Sequence, residues 1–267
     1  MRGRTILLAV LLVLVVGVVP ALAITWGEPD TEHTNVGAMV VELTSGGLLQ
    51  TCSGTLVHER VFLTAGHCVT GWEGFPIEAF WVNFHQNALN EGTLLEVEEL
   101  VPHPDYYWGP TSNPHDIGVL ILEEPVEGIT PAQLPEEGFL NELKKDGLLN
   151  SGQEKAKFIV VGYGGTLQWP PPEVTYEDHR QYALSEYRAL LKSWLRMSPN
   201  NATGDGGTCA GDSGGPAFWE TEDGNEILVG VTSWGDPNCI STGFNYRVDI
   251  PDTLDFVEKM VARAEGP

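Results

Sequence analysis

Three short segments of this chain carry residues whose chemistries complement one another. Residues 209–216 read Cys-Ala-Gly-Asp-Ser-Gly-Gly-Pro, and glycines on both sides of Ser213 let the backbone make a tight turn that another chain can approach closely. A serine hydroxyl is a weak nucleophile at neutral pH, so Ser213 needs a base and a group to orient that base. Both lie upstream: His67 in Thr-Ala-Gly-His-Cys (64–68), and Asp116 at the head of Asp-Ile-Gly-Val-Leu (116–120). In such a set the imidazole takes the hydroxyl proton and later delivers it to the leaving amine, while the carboxylate fixes the imidazole tautomer. The backbone N–H groups of Gly211 and Ser213 are suitably spaced to receive the oxyanion of acyl transfer.

These segments, in the order His, Asp, Ser, resemble the catalytic motifs of the chymotrypsin–trypsin family. The similarity runs over essentially the whole chain after residue 23 and includes Gly162-Tyr163-Gly164 and Ser233-Trp234-Gly235. It implies an all-β fold of two antiparallel six-stranded Greek-key barrels with a helix at the C-terminus, the reacting groups lying at the barrel junction. It also implies that Gly207, six residues before Ser213, lies at the base of the pocket for the side chain preceding the cut bond, with Thr208, Gly235 and Gly243 around it. An uncharged slot walled by glycines favours Phe, Tyr, Leu or Met. Asp205 and Asp236 stand close enough in sequence to support the alternative, a preference for Lys or Arg, and Asn245 would add a polar contact deeper down. An extended substrate would pair with the 233–235 strand, and Tyr106, Tyr107 and Trp108 would wall the next subsite.

The same resemblance implies an activation step in which a freed α-amino group pairs with Asp212. Cleavage after Ala23 would expose Ile24-Thr25-Trp26-Gly27, so removal of a leader would itself create the activating terminus. That leader is residues 1–23. Arg2 and Arg4 precede an unbroken apolar stretch, 6–19, and a small-residue end, Ala-Leu-Ala, which is the pattern of a secretory signal peptide. The remainder, 24–267, is then expected outside the cytoplasm, extracellular or periplasmic, as a monomer without stable membrane association.

The elements that must hold these residues read as strands. Apolar segments at 38–41, 61–63, 117–122, 157–162 and 227–232 are short, β-branched and bounded by turn residues. Barrel one is expected over about 24–122 and barrel two over about 157–250, joined by a Pro-, Glu-, Gly- and Lys-rich connection at 123–156. Two segments are expected as helices: about 251–264, where a proline precedes Leu254, Val257 and Val261 at helical spacing, and 182–197, rich in Leu, Ala, Lys and Arg.

Composition narrows the partners. The chain has 14 basic and 37 acidic residues, and loss of Arg2 and Arg4 takes the net charge from −23 to −25, which excludes nucleic acid. Protein or peptide substrates and protein inhibitors are the expected partners. Four cysteines in an oxidising compartment predict two disulfides, with three pairings open on arithmetic. The resemblance selects Cys52–Cys68 and Cys209–Cys239. No C-x-x-C pair suggests zinc; His33, His58, His85, His103, His115 and His179 read as surface or loop residues, and no metal or other cofactor is required. The rival from another class is a non-catalytic binding protein on the same fold, and against it stands the presence of all three reacting residues.

Overall fold

The computed structural model of the chain describes residues 24–109, 111–150, 156–168, 173–176 and 179–266. The expected signal peptide, 1–23, and the Trp-Pro-Pro-Pro run at 169–172 lie outside the described residues.

A short strand β1 (Glu28–Pro29) leads into β2 (Val36–Leu43), β3 (Leu48–His58), β4 (Val61–Thr64), β5 (Ile77–Asn83), β6 (Leu95–Pro102) and β7 (Gly118–Leu122). The last six close an antiparallel barrel in the order β2-β3-β4-β7-β6-β5. Helix α1 (Phe139–Lys145) follows in the connection, then β8 (Lys157–Gly162), β9 (Gly165–Gln168), β10 (Glu173–Tyr176), β11 (Gln181–Leu190), β12 (Trp194–Ser198), β13 (Pro216–Glu220), β14 (Glu226–Gly235) and β15 (Gly243–Arg247). The second sheet runs β1-β11-β12-β15-β14-β13-β8, and pairing of β8 with β11 closes six of these strands into a second barrel, with β1 added outside. β9 and β10 form a hairpin of their own.

Closure explains the sequence pattern. β7, Gly-Val-Leu-Ile-Leu, is buried at every position because it lies between β4 and β6 inside and beneath the C-terminal helix α2 (Pro251–Glu265) outside. Helix α2 follows barrel two in sequence yet docks on barrel one: Phe256, Val257 and Ala264 join the core that contains Phe62, Leu63 and Leu120. Pro251 at its first turn supplies a preset φ and lacks only an N–H the helix would leave unpaired.

The expected helix at 182–197 is instead the β11–β12 hairpin. Gln181, Ala183, Ser185 and Tyr187 face inward while Leu184 faces out, a period of two, and β11 pairs along its length with β8 and with β12. Good helix formers were overridden by ladder pairing on both sides. The connection, expected as a linker, contains the helix α1; Leu140 and Leu143 anchor it, and Asp249 accepts the Leu140 amide at 2.8 Å. Two of the histidines read as surface or loop residues, His33 and His103, lie in loops and are buried there. Both disulfides pair as the resemblance implied, Cys52 with Cys68 and Cys209 with Cys239.

Candidate active site

His67 lies in a single 3-10 turn, Gly66–Val69, that ends the β4 strand, and Cys68 in that turn is tied to β3 by its disulfide. Asp116 immediately precedes β7. Its Oδ1 accepts the His67 backbone N–H at 2.9 Å, and its Oδ2 lies 2.9 Å from His67 Nδ1, so one carboxylate grips both the backbone and the ring. The Ser233 hydroxyl donates to the same Oδ2. Asp116 is 4 % exposed. Burial works to raise its pKa, but the His67 and Ser233 contacts outweigh burial and hold the carboxyl below its usual range. With Nδ1 engaged, His67 Nε2 is left as the ring's outward nitrogen, with no hydrogen bond among the described residues.

The Ser213 turn sits against the end of β4. The Ser213 carbonyl accepts the Ser53 amide at 2.8 Å. A Cβ on Gly214, whose φ is +83°, would lie 1.9 Å from Thr64 Oγ1 and 2.3 Å from Ser53 O. Only glycine fits there, and that fit brings Ser213 beside the turn that carries His67. No hydrogen bond joins the Ser213 hydroxyl to His67 among the described residues; such contacts tighten when substrate binds.

Gly211 has φ +95°. The Ala210 carbonyl accepts the Gly165 amide at 2.7 Å, which turns the N–H of the same peptide, that of Gly211, the opposite way. The Gly211 carbonyl is itself held by Gln50 Nε2 at 3.0 Å and Ser53 Oγ at 3.1 Å. Neither the Gly211 nor the Ser213 amide has a partner among the described residues, so both are available to an oxyanion.

Asp212 is fully buried and accepts the amides of Gly164 and Cys209, each at 2.8 Å. Burial pushes its pKa up to about 7, against those two hydrogen bonds. The predicted Ile24–Asp212 pair is absent here, where the Ile24 nitrogen is still bonded to Ala23 and donates to Gln181 Oε1 at 3.1 Å. The Ile24 side chain is nevertheless buried in the barrel-two core.

A cleft of about 210 Å³ opens beside Ser213, bordered by Thr208, Ala210, Thr232 and the Ser233–Asp236 stretch. Gly207 does not line it. Gly207 exchanges backbone hydrogen bonds with Thr25, and a Cβ on it would meet Pro199 at 3.1 Å. Gly235 also leaves no open space, since a Cβ added there would strike Thr242 O at 2.7 Å, whereas a Cβ added at Gly243 would lie 3.5 Å from Thr208 Oγ1. The slot is therefore narrower than three glycines suggest. Asp205 faces away, ion-paired with Lys157 and bonded to Thr203. Asn245 sits behind the cleft and accepts the Thr232 hydroxyl. Asp236 lines the mouth, its carboxylate accepting amides of Asn238, Ile240, Ser241 and Thr242. Partial burial works to raise its pKa, but those amides outweigh it and hold the carboxyl below the usual range.

A larger cleft, about 440 Å³, adjoins Asp116 and is walled by Tyr106, Tyr107 and Trp108 from barrel one and Trp194 and Trp234 from barrel two. Trp234 stacks on Phe244 with ring centroids 3.9 Å apart. Trp194 was not foreseen, because its place in this wall depends on the hairpin that replaced the expected helix.

Among the described residues, two groups are close enough to suggest a metal. In the first, Cys52 and Cys68 are consumed by their disulfide. In the second, His103, Asp105 and His115, ring nitrogens are already engaged: His103 Nδ1 accepts the Asp105 amide, and Asn113 occupies His115 Nε2.

A family model described as Trypsin matches residues 24–256. The chain is similar to Trypsin zeta of Drosophila melanogaster, 26% identical over 193 residues that cover 69% of this chain and 64% of that protein. It is also similar to Lectizyme of Glossina austeni, 28% identical over 206 residues covering 72% and 70% respectively. The chain thus spans just under two thirds of the length of the first relative. No helix among the described residues is long and apolar enough to cross a membrane.

Proposed function

The chain belongs to the trypsin family, and from that premise we propose that it is a secreted serine endopeptidase in which Ser213 is the nucleophile, His67 the base and Asp116 the orienting acid. The observation that carries this reading is the grip of one buried carboxylate on both the His67 backbone and Nδ1, which leaves Nε2 as the proton acceptor. Ser213 Oγ attacks the scissile carbonyl carbon as its proton passes to Nε2, and the oxyanion forms against the amides of Gly211 and Ser213. The tetrahedral intermediate collapses as His67 protonates the leaving amine. Water, deprotonated by the same imidazole, then hydrolyses the acyl ester.

For the residue before the cut bond, the uncharged walls that Thr208, Ala210, Thr232 and Trp234 give the 210 Å³ slot beside Ser213 support Phe, Tyr, Leu or Met. A second reading, cleavage after Lys or Arg, is favoured by Asp236 at the mouth of the 210 Å³ slot. The activation reading has Ile24 as the mature terminus, its ammonium moving onto Asp212.

The test is cleavage of a peptide library varied at the residue before the cut, using protein that begins at Ile24, with Ser213→Ala as control. Cleavage after apolar residues that vanishes in the control is the expected result. Cleavage after Lys or Arg selects the second reading. Absence of cleavage by a chain verified to begin at Ile24 would sink the endopeptidase reading in favour of a binding protein on this fold.

A further inference from the structure

His115 is a non-glycine residue with φ +51°, immediately before Asp116. Ile117 N–H donates to His115 O at 2.8 Å, so His115, Asp116 and Ile117 make a three-residue turn with Asp116 at its apex. The direction of the Asp116 carboxylate therefore depends on the His115 backbone. A left-handed conformation at such a residue costs about 1–3 kcal/mol and persists only where its surroundings hold it.

Those surroundings come largely from the far end of the chain. His115 Nδ1 lies 2.6 Å from Oδ2 of Asp252, in the first turn of α2. The Tyr246 hydroxyl donates to Asn113 Oδ1 at 2.7 Å, which assigns the Asn113 NH₂ to His115 Nε2, 3.0 Å away. Nε2 then accepts, and Nδ1 carries the proton donated to Asp252. The His115 ring also stacks on His103 at 4.9 Å, and His103 packs on Phe256 of α2 at 5.0 Å. Helix α2 is anchored independently: Arg60 Nη1 donates to Ala264 O at 2.7 Å, and Arg263 pairs with Glu99.

We propose that the first turn of α2 is a clamp for Asp116, in which Asp252 and His115 are positioning residues that hold the Asp116 turn aimed at His67. The proposal rests on the peptidase reading for its kinetic test, and it carries a second readout that needs no turnover. The clamp predicts that Asp252→Ala and His115→Ala each lower kcat about 10-fold with KM unchanged, and that the double variant is no worse than the weaker single one because the two act as one unit. His115→Asn, whose side chain tolerates positive φ and can still donate to Asp252, should recover most of the activity. Asp252→Asn, of the same shape, serves if an alanine variant fails to fold.

In a Ser213→Ala background, the low-field proton resonance of His67 Nδ1–H should shift or broaden in the Asp252 variants. A kcat within about twofold of the parent together with an unmoved resonance would overturn the clamp, as would strictly additive losses. If the parent chain cleaves nothing, the peptidase reading fails and the resonance alone decides the clamp.

Discussion

Thr25 and Gly207 exchange backbone hydrogen bonds of 3.0 and 3.1 Å, so the second residue of the expected mature chain is laced to the loop that leads into the Ser213 turn. The N-terminal segment is thus seated against that loop while Asp212, a few residues on, is buried without a cation among the described residues.

That arrangement makes Asp212 a measurable liability in an unprocessed chain. Its folded pKa of about 7 stands above the ordinary 3.8, so the folded state binds the extra proton and its stabilising effect, full below about pH 4, is lost as pH rises through 7. A chain carrying one additional residue before Ile24 should lose thermal stability over that window and lack activity. A chain beginning at Ile24 should be flatter, because an ammonium can neutralise the carboxylate. Matching melting curves for the two forms, or full activity in the extended one, would remove the ammonium–Asp212 pair from the mechanism.

Gly211→Val should impair catalysis more than stability. At φ +95° a β-branched residue is strained by about 1–3 kcal/mol, enough to rotate an unpaired amide out of line. Loss of one oxyanion donor lowers kcat about 10²–10³-fold. The comparison is between kcat and the unfolding midpoint of the variant; a large drop in midpoint with kcat preserved would mean that the glycine serves folding alone.

Much of this site was legible because its chemistry is local in sequence. Gly214 and Gly211 flag a turn, Ser213 sits in it, and the His67 and Asp116 segments each read as a residue at the end of a buried strand. The disulfides followed from the resemblance once two pairs were expected. What escaped was set by distant partners. Residues 182–197 have helix-forming side chains, and only ladders from β8 and β12 make them a hairpin. Gly207 reads as an open floor, yet Pro199 and Thr25 close on it from elsewhere in the chain. His33 and His103 do lie in loops, but their burial was hidden because nothing in their neighbourhood of sequence names Glu226 or Phe256.

His33 should give the folded state a pH signature in the alkaline range. Its ring lies between Asp30, 2.6 Å from Nδ1, and Glu226, 3.1 Å from Nε2, and Asp30 also holds Arg180. Burial acts to lower its pKa, but the two carboxylates raise it from 6.5 to about 9. The folded value exceeds the unfolded one, so the imidazolium's contribution is complete below pH 6.5 and lost as pH passes 9. Thermal melts of the parent and His33→Asn should differ most near pH 6 and converge by about pH 10. Parallel curves across that range would show that His33 is not charged in the fold.

Trp108 separates substrate binding from folding. Its side chain is 76% exposed, and it stands edge-on to the His67 ring, 5.9 Å between centroids, on the barrel-one wall of the aromatic cleft. Truncating an exposed side chain of this kind changes stability by about 0.5 kcal/mol or less. A substrate whose upstream residues reach across the cleft loses an aromatic surface, whereas a small ester confined to Ser213 and the 210 Å³ slot loses nothing. Trp108→Ala should therefore raise KM about 10-fold for extended peptides with apolar upstream residues, and leave kcat and small-ester hydrolysis within about twofold of the parent. Equal losses on peptide and ester would instead assign Trp108 to holding His67, since only a disturbed imidazole would slow both substrates alike.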